Sequence, residues 1–428
     1  MKILIIGSGG REHAILSTLR RTSAETPDLY CAPGNAGIKQ IAGCISISAT
    51  DVAKLAEFAS TERIDLTFVG PEAPLALGIV DEFERRGLTI VGPSRAAARL
   101  EASKTFAKEF MQRHEIPTAS YAVASSANQA LEILASEKFG GPENPVVVKA
   151  DGLAAGKGVV VAENRLAAEE AVRELMTGGL VGSEAAQKIV LEERLQGTES
   201  SLLLFSDGQS YALMPAARDH KRIGEGDSGP NTGGMGAITD RSILSDTLIS
   251  QITEEIVEPT LAGARAEGFP FRGILFIGLM LTADGPKVLE YNVRFGDPET
   301  QAILVRLKTD LARIFQSMTA GRLAEIEVDW SPDSSACVVL ASAGYPGKYY
   351  SGSVITGLNE SFPGVEVFHA GTARSESGEW LTSGGRVLGV TALGKTLEQA
   401  LDRTYQRIGS IHWQGIQFRR DIGKFKGE

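Results

Sequence analysis

Between Val288 and Gln301 the chain reads VLEYNVRFGDPETQ, and three of its side chains could do chemistry together. On a strand, Glu290, Asn292 and Arg294 point to one face. A carboxylate beside an amide oxygen suits Mg²⁺, a hard ion that takes oxygen ligands and shares them with substrate phosphates. An arginine next to that pair can stabilise charge on a phosphoryl group in flight. Leu289, Tyr291 and Val293 fill the alternate positions, so the pattern alone also describes an edge strand with a solvated polar face.

Other segments carry phosphate chemistry. Lys149 closes the apolar run Val146–Val148 and is followed by DGLAAGKG, from Asp151 to Gly158. This is not a Walker loop: three residues, not four, separate Gly152 from Gly156, and Gly158 rather than Ser or Thr follows Lys157. Val159–Ala162 returns as a second strand, so the glycines form a hairpin flap whose amides can fold over phosphates. Glu192-Glu193-Arg194-Leu195, after the apolar run Ile189–Leu191, reads as a hinge able to present backbone donors and acceptors to an adenine edge. Arg218–Gly236 packs basic groups and glycines with almost no apolar content. A loop of that length without its own structure is expected to be a binding loop.

Gly7-Ser8-Gly9-Gly10-Arg11-Glu12 invites a dinucleotide reading and fails it. The sixth position is Glu12 instead of Gly or Ala, and no acidic residue ends the second strand to hold a ribose. The turn still leads into a helix N-terminus where backbone amides and Arg11 could hold a phosphate.

The elements that must position these residues fall into three stretches. The first hundred residues or so alternate strands (Lys2–Ile6, Leu29–Ala32, Leu66–Val69, Thr89–Val91) with helices (Arg11–Arg21, Asp51–Thr61, Ala76–Arg86), which predicts a parallel sheet. Each strand ends in a Gly or Pro turn at Gly7, Pro33, Gly70 or Gly92, so the turns should share one rim, where open α/β sheets bind ligands. A helix over Ser103–His114 and strands at Ile189–Leu191, Ser201–Phe205, Ile274–Leu281 and Val288–Glu290 predict an antiparallel α+β middle. From about Trp330, short strands and one closing helix, Thr396–Ile408, complete the chain.

Composition narrows the partners. With 43 basic and 53 acidic side chains the net charge is −10, which argues against nucleic acid or an anionic membrane as a partner, since both need a positive field. The longest uncharged stretch, Ile116–Leu131, is rich in Ser and Ala, and a spanning helix needs about 20 mostly apolar residues. The opening Met1–Gly7 lacks the features of a secretory signal. Cys31, Cys44 and Cys337 form no metal or redox spacing and the five histidines no zinc pattern; sparse cysteine fits a reducing compartment, and the cytoplasm is the expected location.

In order along the chain, GSGGREH (Gly7–His13), GPEAPL (Gly70–Leu75), KADGLAAGKGV (Lys149–Val159), DHKR (Asp219–Arg222), GPNTGGMG (Gly229–Gly236), RFGDPETQ (Arg294–Gln301) and FHAGT (Phe368–Thr372) resemble the glycinamide ribonucleotide synthetase family of the ATP-grasp superfamily, essentially end to end. The resemblance implies an α/β and α+β multidomain chain with the ATP-grasp fold. Residues 1–103 would form an amino-terminal parallel-sheet domain, 104–330 the ATP-grasp domain with a mobile subdomain at about 119–194, and 331–428 a small carboxy-terminal α+β domain. It implies ATP-dependent joining of glycine to 5-phosphoribosylamine through a glycyl phosphate, with ATP and Mg²⁺ or Mn²⁺ as cofactors and a monomeric, stand-alone chain as the expectation. Lys104 and Lys149 would meet the ATP phosphates under the flap carrying Gly152, Gly156, Lys157 and Gly158. Glu192 and Leu195 would flank the adenine hinge, and Glu199 would take the ribose. Glu290 and Asn292 would hold the metal, with Arg294 and Lys149 catalytic. Asp219, Lys221, Asn231, Gly233, Gly234 and Asp297 would border glycine and the amine, and Gly9, Gly10, Arg11, Glu12, Asn35 and Glu72 the phosphoribosyl part. Wider relatives carry a further metal carboxylate on the preceding strand. Gly278-Leu279-Met280-Leu281 has none, so water and phosphate oxygens would complete the shell.

Overall fold

The computed structural model describes residues 1–153, 158–177 and 187–425. Its first sheet is built from short apolar strands that are buried on both faces, as a parallel sheet with crossover helices requires. In spatial order the strands are Gly43–Cys44, Asp28–Pro33, Lys2–Gly7, Leu66–Val69 and Ile90–Val91, and every pair is parallel. Gly7 lies opposite Pro33, Ile6 opposite Val69, and Phe68 opposite Val91. The turns after these strands therefore open on one rim, as the sequence predicts.

In the amino-terminal stretch the differences from the predicted elements are local. The helix expected over Ala76–Arg86 is two pieces, Glu72–Ala76 and Ile79–Arg85, because Gly78 between them sits at φ +83° and left-handed backbone ends a helix. The two-residue edge strand Gly43–Cys44 is too short to leave a pattern. Helix Arg95–Ala102, capped by the Ser94 hydroxyl, went unread beside its longer neighbour Lys104–Arg113.

A four-stranded antiparallel sheet, ordered Tyr121–Ala124, Ile189–Glu193, Val146–Ala150, Val159–Ala162, packs on helices Ala127–Ala135 and Arg165–Met176 around a core of its own that includes Leu134, Val148, Val172 and Leu191. The hairpin expected around the glycine flap is present. Lys149 pairs with Val159, and the Ala150 N–H donates to the Gly158 carbonyl at 2.8 Å.

The largest sheet runs Gly285–Asn292, Arg272–Thr282, Thr198–Asp207, Ala217–Asp219, Gly236–Thr239, Ser334–Ala341, Arg386–Gly394, Val365–His369. Its last three strands come from the carboxy-terminal stretch, joined where Ala237 faces Cys337. That stretch thus extends the central sheet, although its sequence reads as a separate domain. The long loop expected over Arg218–Gly236 is also more ordered than its composition implies. Arg222–Gly224 and Ser228–Asn231 pair as a small hairpin turned by Gly226 at φ +64° and Asp227 at φ +52°.

One aromatic column ties the amino-terminal sheet to the central one. Phe68 stacks on Phe315 with ring centroids 4.6 Å apart and sits 5.6 Å from Phe295, which meets Phe205 edge-on. Phe295 therefore anchors the Arg294–Asp297 turn against the amino-terminal rim. Gly7 shows how tight that rim is: its φ is +131°, and a Cβ there would lie 2.5 Å from Glu12 Cδ. Gly7→Ala is expected to cost about 2 kcal/mol or more, the scale of a disfavoured backbone region combined with a core clash. Thermal unfolding checks this, and an unchanged melting temperature would mean that Glu12 can swing aside.

Candidate active site

Strand Gly285–Asn292 alternates as the sequence predicts from Glu290 onward, whereas an irregularity in the pairing just before it buries Val288 in place of the expected Leu289. Tyr291 and Val293 are buried in the core, where the Tyr291 hydroxyl meets Thr260 Oγ1 at 2.7 Å, and Glu290 and Asn292 take the other face. Across the sheet Glu290 opposes Gly278 and Asn292 opposes Phe276. A Cβ on Gly278 would come within 3.3 Å of Glu290 Cγ, so the strand that lacks a second carboxylate is the one that makes room for this one. Burial would raise the Glu290 carboxyl, but the ammonium groups of Lys221, Lys149 and Lys104 and the Arg294 guanidinium outweigh it and hold the carboxyl below its ordinary range. Among the described residues no group of three His, Cys, Asp or Glu side chains could hold a metal ion. The donor set is one carboxylate and one amide oxygen ringed by cations, which fits a divalent ion shared with phosphates and does not fit an all-protein cage.

Arg294 is held on several sides. Its guanidinium lies 2.8 Å from Glu101 Oε1 and 3.2 Å from Glu72 Oε2, and it donates to Asn292 Oδ1 at 3.1 Å and to the Phe295 carbonyl at 3.2 Å. Burial disfavours its charge, yet Glu101 and Glu72 raise its pKa above the ordinary value. The second oxygen of Glu101 accepts the Val293 N–H at 2.8 Å. Glu101 went unread in the sequence although a signal was there: on helix Arg95–Ala102 it lies three and four residues after the buried Ala98 and Ala97, hence on the same face.

The lysines converge on Glu290 from two sides. Lys104 opens helix Lys104–Arg113, and the start of the flap is tied to that helix. Asp151 Oδ1 accepts the Thr105 N–H at 2.6 Å, the Ser103 hydroxyl bonds the same carboxylate, and the Lys104 ammonium lies 3.4 Å from the Gly152 carbonyl. Lys149 Nζ sits 2.9 Å from Glu192 Oε1 and 3.2 Å from the Leu289 carbonyl. Glu192 is 2 % exposed and its other oxygen meets Lys108 Nζ at 3.0 Å, so its side chain points into this cluster while Leu195 beyond it is partly exposed. Lys108 is a further residue the sequence did not disclose. Burial lowers its pKa to about 8, against the pull of Glu192. Gly152 and Gly158 flank the flap; Gly156 and Lys157 lie outside the described residues.

On the other side, Lys221 reaches Glu199 Oε2 at 3.0 Å, and Glu199 and Asp219 raise its pKa well above the ordinary value. Burial raises the Asp219 carboxyl, opposed by Lys221. Lys221 thus stands between the residue expected at the ribose and Glu290.

The amino-terminal turn meets the Asp297 turn. A Cβ on Gly9 would lie 3.6 Å from Asp297 Oδ2, and one on Gly10 would lie 2.8 Å from Gln301 Nε2. Arg11 donates to the Phe295 carbonyl at 3.0 Å and pairs with Glu12 Oε1 at 2.6 Å. Glu12, 2 % exposed, accepts the Gly9 N–H with its other oxygen at 2.5 Å. Glu12 thus braces the turn from inside, each of its oxygens accepting one bond there. Asn35 also braces its surroundings, donating to the carbonyls of Ser8 and His369 at 2.8 and 2.9 Å and accepting from the amides of Gly37 and Ile38. Asn231 ends the small hairpin opposite Arg222. The Gly233 N–H donates to the Tyr345 hydroxyl at 2.9 Å, and Gly234, at φ +108°, has no room for a Cβ beside Pro298 Cδ. Arg386, unread in the sequence, bonds both Gly233 and Asp297.

Comparisons with known proteins agree on one family. Residues 1–101, 102–300 and 335–425 match the models of the phosphoribosylglycinamide synthetase N domain, ATP-grasp (A) domain and C domain. The chain is 46 % identical over 427 residues to the phosphoribosylamine–glycine ligase of Vibrio cholerae, covering 99 % of this chain and 98 % of that one. It is 46 % identical over 430 residues to the enzyme of that name from Yersinia pestis, covering 99 % and 98 %. The crystal structure of the Thermotoga maritima phosphoribosylamine–glycine ligase superposes with a TM-score of 0.85 at 33 % identity, covering 98 % of this chain and all of that one. A Campylobacter jejuni biotin carboxylase in an ATP complex superposes with a TM-score of 0.73 at 16 % identity, covering 98 % and 93 %, a likeness of fold alone.

Proposed function

The chain belongs to the phosphoribosylglycinamide synthetase family, and from that premise we propose how its residues divide the work of an ATP-dependent ligase that joins glycine to 5-phosphoribosylamine. The enzyme acts in purine biosynthesis and releases ADP and phosphate. The observation that carries the reading is the convergence of Lys104, Lys149, Lys221 and Arg294 around the Glu290 carboxylate. Four cations about one half-buried carboxylate suit a metal–polyphosphate complex, whose charge they balance.

Lys104 and Lys149 hold the phosphates, with Gly152 and Gly158, the described ends of the flap, beside them. Glu192 and Leu195 bracket the hinge that reads adenine, and Glu199 takes the ribose. Glu290 and Asn292 hold Mg²⁺ or Mn²⁺. When bound, the ion neutralises charge on phosphate oxygens. A carboxylate cannot lose oxide to an amine, so the γ-phosphoryl group first goes to the glycine carboxylate. The Arg294 guanidinium stabilises charge on that group in transit, and Glu101 and Glu72 fix its direction. The amine nitrogen then bonds the acyl carbon as the bond from that carbon to the phosphate oxygen breaks. No side chain becomes covalently attached, so the protein supplies position and charge.

Asp219, Lys221, Asn231, Gly233, Gly234 and Asp297 border glycine and the amine, and Gly9, Gly10, Arg11 and Glu72 the phosphoribosyl group, with Glu12 and Asn35 shaping that turn. In domain terms, 1–103 serves the phosphoribosyl side, 104–330 the nucleotide, with 119–194 as its moving part, and 331–428 completes the pocket wall. The separate core of the flap-bearing sheet supports such motion. Three free thiols, and no helix among the described residues long and apolar enough to cross a membrane, fit a cytoplasmic enzyme.

The test is phosphate release from Mg-ATP with glycine and freshly generated phosphoribosylamine, omitting each in turn. Release that needs all three, with labelled glycine in the product, is expected. Release without the amine would point to another acceptor and overturn the substrate assignment.

A further inference from the structure

Strand Arg386–Gly394 belongs to the carboxy-terminal stretch, yet its first side chain reaches two loops far away in sequence. One Arg386 nitrogen lies 2.8 Å from Asp297 Oδ2, and the other donates to the carbonyls of Asp297, at 2.8 Å, and of Gly233. Asp297 Oδ1 is already taken by Gln301 Nε2 at 2.8 Å, so the carboxylate has no rotational freedom left. Its Oδ2, which Arg386 holds, is also the oxygen that borders the Gly9 turn. We propose that Arg386 is a positioning residue for the amine substrate, fixing the Asp297 carboxylate and the Gly233 loop in the geometry that receives it. The proposal rests on the reading that these two loops border the amine pocket.

Four further contacts make the arrangement stiff. Tyr345 packs against Gly385, where a Cβ would sit 2.4 Å from the ring, and from there its hydroxyl accepts the Gly233 N–H at 2.9 Å. The Arg386 carbonyl accepts the Gly371 N–H at 3.0 Å, which anchors its own backbone. Gly234 packs on Pro298 with no space for a side chain, so the Asp297 and Gly233 loops touch directly and a displacement of either reaches the other. A planar fork can serve a carboxylate oxygen and two carbonyls at once, and a lysine ammonium on a flexible stem cannot hold the same three acceptors in one plane. A displacement of about 1 Å in a reacting group can cost on the order of 100-fold in rate, so a brace of this kind bears directly on the reaction.

The experiment compares Arg386→Gln, Arg386→Lys, Tyr345→Phe, Asp297→Asn and the Arg386→Gln/Asp297→Asn double variant. Measured for each are KM for phosphoribosylamine, KM for ATP, kcat and melting temperature. Arg386→Gln should raise the amine KM by on the order of 10-fold or more and leave the ATP KM within about two-fold. Arg386→Lys and Tyr345→Phe should fall between it and the parent. The Gln and Asn changes should combine less than additively, because both act through one contact. A lowered melting temperature with unchanged amine KM for the Arg386 variants, while Asp297→Asn raises that KM, would show a merely structural arginine and overturn the proposal. If Asp297→Asn also leaves the amine KM unchanged, the placement of Asp297 beside the amine fails and the proposal falls with it. Should Arg386→Gln not fold, Arg386→Lys and Tyr345→Phe carry the test with the same criteria.

Discussion

Arg294→Ala is expected to lower turnover by on the order of 10²–10³-fold, the usual effect of deleting one transition-state charge donor. The structure adds a second consequence. Arg294 is the shared partner of Glu101 and Glu72, and the Glu101 side chain is only 8 % exposed, so alanine leaves two carboxylates facing each other without a counter-charge. Breaking a buried pair from one side costs about 3–5 kcal/mol, so the variant should also melt earlier. The two effects separate when Arg294→Lys is measured beside it. Lysine keeps the charge between the carboxylates and recovers much of the stability, but it cannot reach Glu101, Glu72 and Asn292 as a planar fork and also meet a phosphoryl oxygen. Turnover in the lysine variant should stay low at a temperature where both proteins are folded. Near-normal turnover in either variant would remove Arg294 from the chemistry and leave it as a clamp between the amino-terminal rim and strand Gly285–Asn292.

That dual role marks the limit of what the sequence disclosed. The strand alternation of Glu290, Asn292 and Arg294 was visible because a period of two writes the pattern directly into adjacent residues. The parallel rim was visible because each short apolar run ends in Gly or Pro. Glu101, Lys108, Tyr345 and Arg386 were not, since each acts on a residue distant along the chain: Glu101 on Arg294, Lys108 on Glu192, Tyr345 and Arg386 on Gly233. A charged residue on a helix reads as solvated until something shows which face is covered. Glu12 is a related case. A carboxylate in a glycine turn looks wholly turned to a ligand, and only the packing of Gly7 and Gly70 around it shows that it also braces the turn from inside. The continuation of the central sheet into the carboxy-terminal stretch was hidden for a related reason: pairing between Gly236–Thr239 and Ser334–Ala341 joins strands about a hundred residues apart, and no local pattern records such a pairing.

Glu290→Gln is expected to move the metal titration the furthest of any single change. The carboxylate supplies the negative charge of the proposed metal pair, since Asn292 is neutral and its oxygen already accepts from Arg294. Removing a ligand charge should raise the metal concentration needed for half-maximal rate by more than the 10–100-fold loss that is roughly typical for deleting only a supporting contact. The change also removes a carboxylate whose charge Lys221, Lys149, Lys104 and Arg294 all face, although Lys149 keeps Glu192, Lys221 keeps Glu199 and Arg294 keeps Glu101 and Glu72. Without nucleotide the repulsion among these cations is then less fully offset, so the free variant should melt below the parent. ATP restores negative charge to the same place, and the nucleotide should therefore raise the melting temperature of the variant by more than that of the parent. Glu290→Asp keeps the charge on a shorter stem and should recover stability while regaining little of the metal affinity. A metal titration unchanged in Glu290→Gln would refute the ligand assignment. A changed titration with equal nucleotide stabilisation in parent and variant would keep Glu290 as a ligand and show that the other carboxylates, Glu192, Glu199, Glu101 and Glu72, suffice to offset these cations.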